Sequence, residues 1–159
     1  MCVLHSWRFW DLFATSSVVR RINTFLRLLA ILWASPYTLL GLLLGAIGLC
    51  TGGRARMRGR VVEFYGGGVK WFLEQCFFGE GAMAMTLGHT ILGQTEAALD
   101  ISRAHELVHV RQYEQWGPFM GPAYLGCSLA LWLMGRRPYR DNPFERQAFA
   151  ETETHFRLR

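Results

Sequence analysis

Residues 101–116 read ISRAHELVHVRQYEQW, and the five central residues, His105-Glu106-Leu107-Val108-His109, decide how the rest of the chain is interpreted. The apolar spacing predicts a helix from about residue 101 to residue 116, where Gly117-Pro118 ends it. The five central residues form an HExxH motif, whose two histidines are one helical turn apart. The other elements are therefore placed relative to this helix.

The HExxH motif predicts a zinc site. On a helix, the imidazoles of His105 and His109 lie on one face and can reach a single Zn²⁺ at about 2.0–2.1 Å. Glu106 then lies beside the metal without binding it and can accept a proton from metal-bound water. A chance motif on a surface helix is the alternative. Leu107 and Val110 argue against it, because they make the helix largely buried, where unpaired polar side chains are costly.

Catalytic zinc usually has three protein ligands and one open position for water. The third ligand is expected among the acidic and histidine side chains elsewhere in the chain, which are Glu145, Glu151, Glu153, His155, Asp141 and His89. Glu145 is preferred because it falls in the first turn of a helix predicted from Pro143 to about Phe156, with Asn142 as its N-cap. The alternative role for a glutamate at this position is an interaction with the helix dipole.

These residues resemble the gluzincin group of zinc peptidases, to which thermolysin belongs. In that group the HExxH helix is followed by a second helix with a glutamate ligand and often a small residue three positions later, as at Glu145 and Ala148. The pattern HE-x-VH-x-x-QY…N-P-F-E also resembles small bacterial membrane proteins, over residues 105–113 and 142–148. The resemblance implies peptide-bond hydrolysis with Glu106 as general base, at the bacterial inner (cytoplasmic) membrane.

The chain departs from the gluzincin pattern at Phe149, where many relatives have an acidic residue. An outer hydrogen-bond partner of a ligand histidine is therefore unaccounted for, and Asp141, Glu151 or a backbone carbonyl would have to replace it. Gln112 lies seven residues after His105 on a similar face of the helix. It either orients a ligand or caps the pocket.

Four further side chains are candidates for the cleft. His89 falls on the strand that we place before the zinc helix, and in gluzincin-like folds such a strand borders the cleft; a structural histidine is the alternative. The other three are candidates for stabilising the oxyanion that this reaction forms, and they are Tyr139, Arg140 and His155.

The segment before the zinc helix predicts a small antiparallel sheet. The runs 60–65, 69–73 and 82–92 have the composition of short strands. The glycine triplet at 66–68 fits a hairpin turn between the first two runs. We therefore expect a sheet to lie beside the zinc-binding half.

The N-terminal part of the chain indicates a membrane. The protein is 51% hydrophobic and only 18% charged, against about 25% charged in typical soluble domains. Residues 28–50, LLAILWASPYTLLGLLLGAIGLC, contain no charged side chain and exceed the about 20 residues that a transmembrane helix needs. We expect an uncleaved anchor rather than a signal peptide. Residues 1–27 are interpreted as an interfacial or poorly ordered segment.

The net charge of +5 fits lipid headgroups better than nucleic acid. Arginines cluster beside the apolar segment, at Arg54, Arg56, Arg58 and Arg60, which suits anionic lipids. No nucleic-acid-binding motif accompanies the charge, so no nucleic-acid partner is expected. The four cysteines form no CxxC pair, which favours neither a disulfide framework nor a thiolate metal site.

A second uncharged run, 119–135, lies between His109 and Glu145. A straight helix of that length extends roughly 25 Å, so a full membrane crossing would put the two residues on opposite sides of the bilayer. We therefore expect this run to bend or to lie shallowly, which would put the zinc site at the membrane surface. Otherwise the third ligand lies elsewhere.

The sequence thus predicts an α+β protein with three parts: an N-terminal segment at 1–27, a transmembrane helix at 28–50 and a metallopeptidase-like domain at 51–159. That domain combines the small antiparallel sheet with a helical zinc-binding half. We expect it to contact membrane lipids and to hydrolyse a membrane-proximal protein or peptide, with one Zn²⁺ as cofactor. The alternatives are a non-catalytic membrane protein stabilised by zinc and a metal-free membrane interaction protein.

Overall fold

The computed structural model describes residues 24–25, 28–75 and 81–157 and confirms the predicted α+β class. The predicted N-terminal segment 1–27 lies almost wholly outside the described residues. The strands are β1 (Arg54–Arg58), β2 (Val61–Tyr65), β3 (Ala84–Leu87) and β4 (Thr90–Gly93). The helices are α1 (Ser35–Cys50), α2 (Gly67–Gln75), α3 (Glu96–Trp116), α4 (Met120–Leu133) and α5 (Pro143–Arg157).

The four strands form a mixed sheet in the order β1-β2-β4-β3. β1 pairs with β2 and β3 pairs with β4 in antiparallel hairpins, whereas β2 and β4 are parallel. The prediction of an antiparallel sheet is therefore wrong for the central pair. Parallel strands need a crossover connection, and the chain makes one through α2.

The run 69–73, predicted as a strand, is part of helix α2, and the predicted hairpin turn at 66–68 is the start of that helix. The buried residues of α2 are Val69 and Leu73, which are four apart as on one face of a helix. Lys70 and Glu74 show the same spacing, with 3.7 Å between Nζ and Oε1. The helical spacing is visible in the sequence, but an apolar run this short fits the strand pattern as well.

Helix α1 lies directly on the sheet through its glycines. Gly41, Gly45 and Gly48 are its buried residues, while its leucines lie largely on the outside. A Cβ atom at Gly45 would come within 2.4 Å of the Phe64 ring on β2, so only glycine permits this approach. Residues 28–33 are also helical, and Ala34 separates them from α1.

No helix in the described ranges has both the length and the apolar character that a membrane crossing requires. The predicted transmembrane helix at 28–50 is therefore not supported in that form. Pro36 lies just after the interruption at Ala34 and has no N–H to donate to the preceding turn, which accounts for the division of the run.

Helix α3 begins at Glu96, five residues before the predicted start, because Thr95 caps it by accepting a hydrogen bond from the Ala98 amide at 3.1 Å. It ends at Trp116, and Gly117 caps it with a φ of 52°, which suits glycine. The chain leaves along α4 and returns through residues 134–142 to α5, which packs against α3. This packing brings together the two segments that carry the predicted ligands.

Candidate metal centre

His105 and His109 project from one face of α3, as their spacing predicts. Their Nε2 atoms are 3.1 Å apart. His109 is buried, at 8% exposed, and His105 is half-buried. The two imidazoles therefore direct their outer nitrogens at the same small volume.

Glu145 reaches this volume from the first turn of α5 and is 3% exposed. Its Oε2 lies 3.1 Å from His105 Nε2, and its Oε1 lies 3.4 Å from His109 Nε2. Asn142 fixes the start of this helix by accepting a hydrogen bond from the Phe144 amide at 3.0 Å, so its predicted role as N-cap is confirmed.

The three side chains fit a tetrahedral metal ion. Zinc–ligand bonds of about 2.0–2.1 Å in a tetrahedron put neighbouring ligand atoms roughly 3.3–3.4 Å apart. The observed separations are 3.1 Å between the two Nε2 atoms, 3.1 Å from His105 Nε2 to Glu145 Oε2 and 3.4 Å from His109 Nε2 to Glu145 Oε1. One ligand atom from each of His105, His109 and Glu145 lies within 4.8 Å of the other two. Nitrogen and carboxylate donors of this kind, three in number, are those of catalytic zinc sites.

The charges at this centre favour an ionised carboxylate. Burial by itself would raise the pKa of Glu145, but hydrogen bonds from His105 and His109 outweigh it and hold that pKa at about 2. Burial by itself would lower the pKa of His109, but the hydrogen bond to Glu145 and the charge of Glu106 raise it above its ordinary value. The site therefore stabilises positive charge next to Glu145.

Glu106 lies beside the three ligands and is 5% exposed. The Thr86 hydroxyl on strand β3 donates to its Oε2 at 2.7 Å, so the sheet holds this carboxylate in place. Burial, which disfavours the ionised form, raises the pKa of Glu106 above that of a carboxylate in water. A raised pKa makes this carboxylate a stronger base than a carboxylate in water, as the role of general base requires.

Two tyrosines contact the site from the segment between the ligand helices. The Tyr124 hydroxyl, on α4, donates to Glu145 Oε1 at 2.9 Å. Burial, followed by the Glu145 charge, raises the pKa of both Tyr124 and Tyr139 well above that of free tyrosine. Both phenols are therefore protonated donors at neutral pH. Tyr139 was predicted as a candidate for the cleft and does lie next to Glu145, with 43% of its surface exposed.

Gln112 supplies the outer contact that the sequence left open for His109. Its Oε1 lies 2.8 Å from His109 Nδ1. Of the residues proposed for such a contact, Asp141 lies against arginines of its own loop, 3.5 Å from Arg136 Nε, and Glu151 pairs with Arg111. Neither provides the missing partner.

The remaining residues that the sequence suggested as ligands or cleft residues either lie apart from the three ligands or have side chains that the structure does not describe. His89 is in the turn between β3 and β4 rather than on a strand, and its Nε2 lies 3.0 Å from Glu114 Oε1. Glu153 is exposed on α5. The prediction for His155 concerns a side chain outside those that the structure describes.

Sequence reasoning missed Tyr124 and Thr86. Tyr124 is the only tyrosine in the uncharged segment 119–135, which is the one signal that could have singled it out. Thr86 carries no comparable signal, because only the packing of β3 against α3 brings it to Glu106. Comparison with protein-family models, with curated proteins and with solved structures finds no match to this chain.

Proposed function

We propose that this protein is a zinc-dependent peptide hydrolase with a metal site formed by His105, His109 and Glu145. The observation that carries the proposal is the convergence of three groups: the two imidazole Nε2 atoms are 3.1 Å apart, and they lie 3.1 and 3.4 Å from the two oxygens of the Glu145 carboxylate. Beside them is a buried glutamate, Glu106, that is not one of the three predicted ligands. A structural zinc site has no need of that fourth side chain. A hydrolytic site needs it as a general base.

A cation satisfies these three groups better than protons can. If both imidazoles are neutral, one shared proton can join only two of the three ligand atoms. If one ring is protonated, each Nε2 can donate to a different Glu145 oxygen, but two N–H groups then lie side by side with their nitrogens 3.1 Å apart. If both rings are protonated, two positive rings face each other across the same distance. A divalent ion instead accepts a lone pair from each of His105, His109 and Glu145 at once.

Three residues of the chain would have separate roles in peptide-bond hydrolysis. A bound zinc ion would supply an acidified water and polarise the scissile carbonyl. Glu106 would accept the proton that this water loses as its oxygen bonds to the carbonyl carbon, and would deliver that proton to the leaving nitrogen as the C–N bond breaks. Thr86 would keep the Glu106 carboxylate in position throughout. Tyr139, a protonated and partly exposed phenol beside the site, would donate to the oxyanion.

The proposed substrate is a protein or peptide close to a membrane, with the bacterial inner (cytoplasmic) membrane as the proposed location. α1 and α4 contain no charged residue. They begin side by side, since the Tyr37 hydroxyl donates to the Pro118 carbonyl at 3.3 Å. Their outward apolar side chains include Leu39, Leu43 and Ile47 on α1 and Leu125, Leu129, Trp132 and Leu133 on α4. Such a surface fits lipid acyl chains better than water.

Zinc stoichiometry and hydrolysis, measured on the same preparations, test the enzymatic part. Wild-type protein should bind one zinc ion and cleave peptides of a mixed library, with one ¹⁸O atom from labelled water in each new carboxylate. Glu106→Gln should retain the zinc and lose about 10²–10⁴-fold in rate, the range typical of a general base. His105→Ala should lose the zinc.

Each alternative function gives a different result in that experiment. A wild-type protein that holds one zinc ion and cleaves no peptide would be the non-catalytic zinc protein. A folded wild-type protein with less than about half an equivalent of zinc would be the metal-free interaction protein.

Flotation with vesicles tests the location separately. Wild-type protein should float with vesicles that contain phosphatidylglycerol. Leu129→Glu, which puts a charge on the outward face of α4, should reduce the floated fraction by more than half without changing the zinc content. Equal flotation of the variant and the wild type would contradict a lipid contact through α4.

A further inference from the structure

Gln112 is 1% exposed and uses its whole side-chain amide in hydrogen bonds. Its Oε1 lies 2.8 Å from His109 Nδ1, three residues earlier on α3. Its Nε2 donates to the Phe144 carbonyl at 3.0 Å and to Gln147 Oε1 at 3.0 Å, and both acceptors are on α5. One side chain thus joins a predicted metal ligand to the helix that carries another.

These contacts fix the orientation of the amide. An amide nitrogen has two hydrogens and no lone pair to offer, and the two acceptors on α5 require both hydrogens. Rotating the amide by half a turn would put its oxygen against the buried Phe144 carbonyl oxygen and against Gln147 Oε1, and would leave that buried amide oxygen without a donor. The Gln112 oxygen therefore faces His109 and can only accept.

The tautomer of His109 follows from that orientation. Because Gln112 Oε1 accepts, His109 Nδ1 must carry the hydrogen. In the neutral ring Nε2 then has a free lone pair, and this atom is the one 3.1 Å from His105 Nε2 and 3.4 Å from Glu145 Oε1. The lone pair therefore points into the proposed metal site.

We propose that Gln112 is a positioning residue that holds His109 ready to bind a metal ion and, through the same amide, holds α5 at the distance that Glu145 requires. The inference rests on the proposed function. A carboxylate partner would also orient the ring, but it would make the ligand more basic and add a negative charge to the site. A glutamine orients the ring without that charge and has hydrogens left for a second helix.

Zinc binding by Gln112 variants tests the proposal, with zinc alone in competition with a chromophoric chelator. Gln112→Met keeps the length of the side chain and removes all three hydrogen bonds, so zinc affinity should fall about 10–100-fold. Gln112→Glu keeps the acceptor for His109 but loses both donors to α5, and should lower the affinity as well. Gln115→Met, at an exposed glutamine of the same helix, is the matched control and should stay within about twofold of wild type. A folded Gln112→Met protein with wild-type affinity would overturn the proposal.

A measurement on wild-type protein needs no variant to fold. The ¹⁵N shifts of the His109 ring in metal-free protein, at a pH where the ring is neutral, should show the hydrogen on Nδ1. A hydrogen mainly on Nε2 would also overturn the proposal. Failure of the Gln112 proposal can be told apart from failure of the proposed function. A protein that binds zinc and cleaves no peptide would refute hydrolysis but would leave the role of Gln112 intact.

Discussion

Two buried carboxylates contact α3 on different faces, and their partners differ in kind. Glu63, on β2, is fully buried and pairs with Arg56, whose Nε lies 2.6 Å away, and with Arg103 of α3. Glu145 is 3% exposed and faces the imidazoles of His105 and His109. One carboxylate therefore meets guanidinium groups and the other meets imidazoles.

The difference distinguishes a structural ion pair at Glu63 from the proposed metal site at Glu145. Guanidinium groups are charged at every relevant pH, so Glu63 is neutralised by the chain itself. Arg56 is also shared with Glu96 and Asp100 of α3, which makes the pair part of a network between sheet and helix. Imidazoles carry a charge only when protonated, so Glu145 is fully compensated only by added protons or by a cation. The second site is incomplete in a way that the first is not.

The largest expected effect comes from removing the charge at the incomplete site. Glu145→Gln should lower zinc affinity by more than about 100-fold, beyond the range for outer hydrogen-bond partners, because a ligand is lost. The fold should survive, since glutamine can still accept the hydrogen bond from Tyr124. Chelator competition measures the affinity and circular dichroism the fold.

Glu151→Gln is the matched control on the same helix, since Glu151 is exposed and pairs with Arg111 away from the ligands. It should bind zinc as the wild type does. If Glu145→Gln and Glu151→Gln bound zinc equally well, the distinction between the two carboxylates would be lost.

Removing the charge of Glu63, which the chain itself compensates, should lower the stability of the fold and leave zinc binding unchanged. Glu63→Gln leaves Arg56 and Arg103 without their buried anion, and breaking a buried ion pair costs about 3 kcal/mol of stability or more. Zinc stoichiometry should remain at one equivalent. Urea unfolding of the zinc-loaded protein measures the free energy of unfolding. A loss of zinc in a folded Glu63→Gln protein would show that the two sites are coupled.

The smallest effect is expected from a change that leaves all charges in place. Tyr124→Phe removes only the hydroxyl that donates to Glu145, so zinc affinity should fall about tenfold. Tyr65→Phe is the control, because its hydroxyl contacts Glu96 on an exposed surface at 3.4 Å. Chelator competition on both variants decides the point, and equal affinities would mean that Tyr124 does not help to orient the ligand.

Local sequence patterns were enough to predict the candidate site. The spacing of His105 and His109 on a helix depends on helical geometry alone. The Asn142-Pro143 start of α5, with Glu145 in its first turn, depends on capping chemistry that is equally local. The structure brings these segments together as the predicted ligand set requires.

Features that depend on distant contacts could not be predicted in the same way. The parallel pairing of β2 with β4 follows from α2, whose short apolar run satisfied both the strand and the helix pattern. The Thr86–Glu106 hydrogen bond joins residues 20 positions apart, and neither position has a pattern that implies the other. The length of the uncharged run at 28–50 predicted one transmembrane helix. Instead, the helix is interrupted at Ala34, just before Pro36, and the part after the interruption packs through its buried glycines.

The glycines of α1 reverse the usual mutational tolerance of a packed helix. At a leucine in a core, replacement by another apolar side chain of similar volume is usually tolerated. At Gly41 even one methyl group would meet Thr90 at 2.7 Å, whereas outward leucines such as Leu39 and Leu43 are more than half exposed. In this helix the positions that encode the fold are the ones with no side chain, and the bulky positions are free to vary among apolar residues.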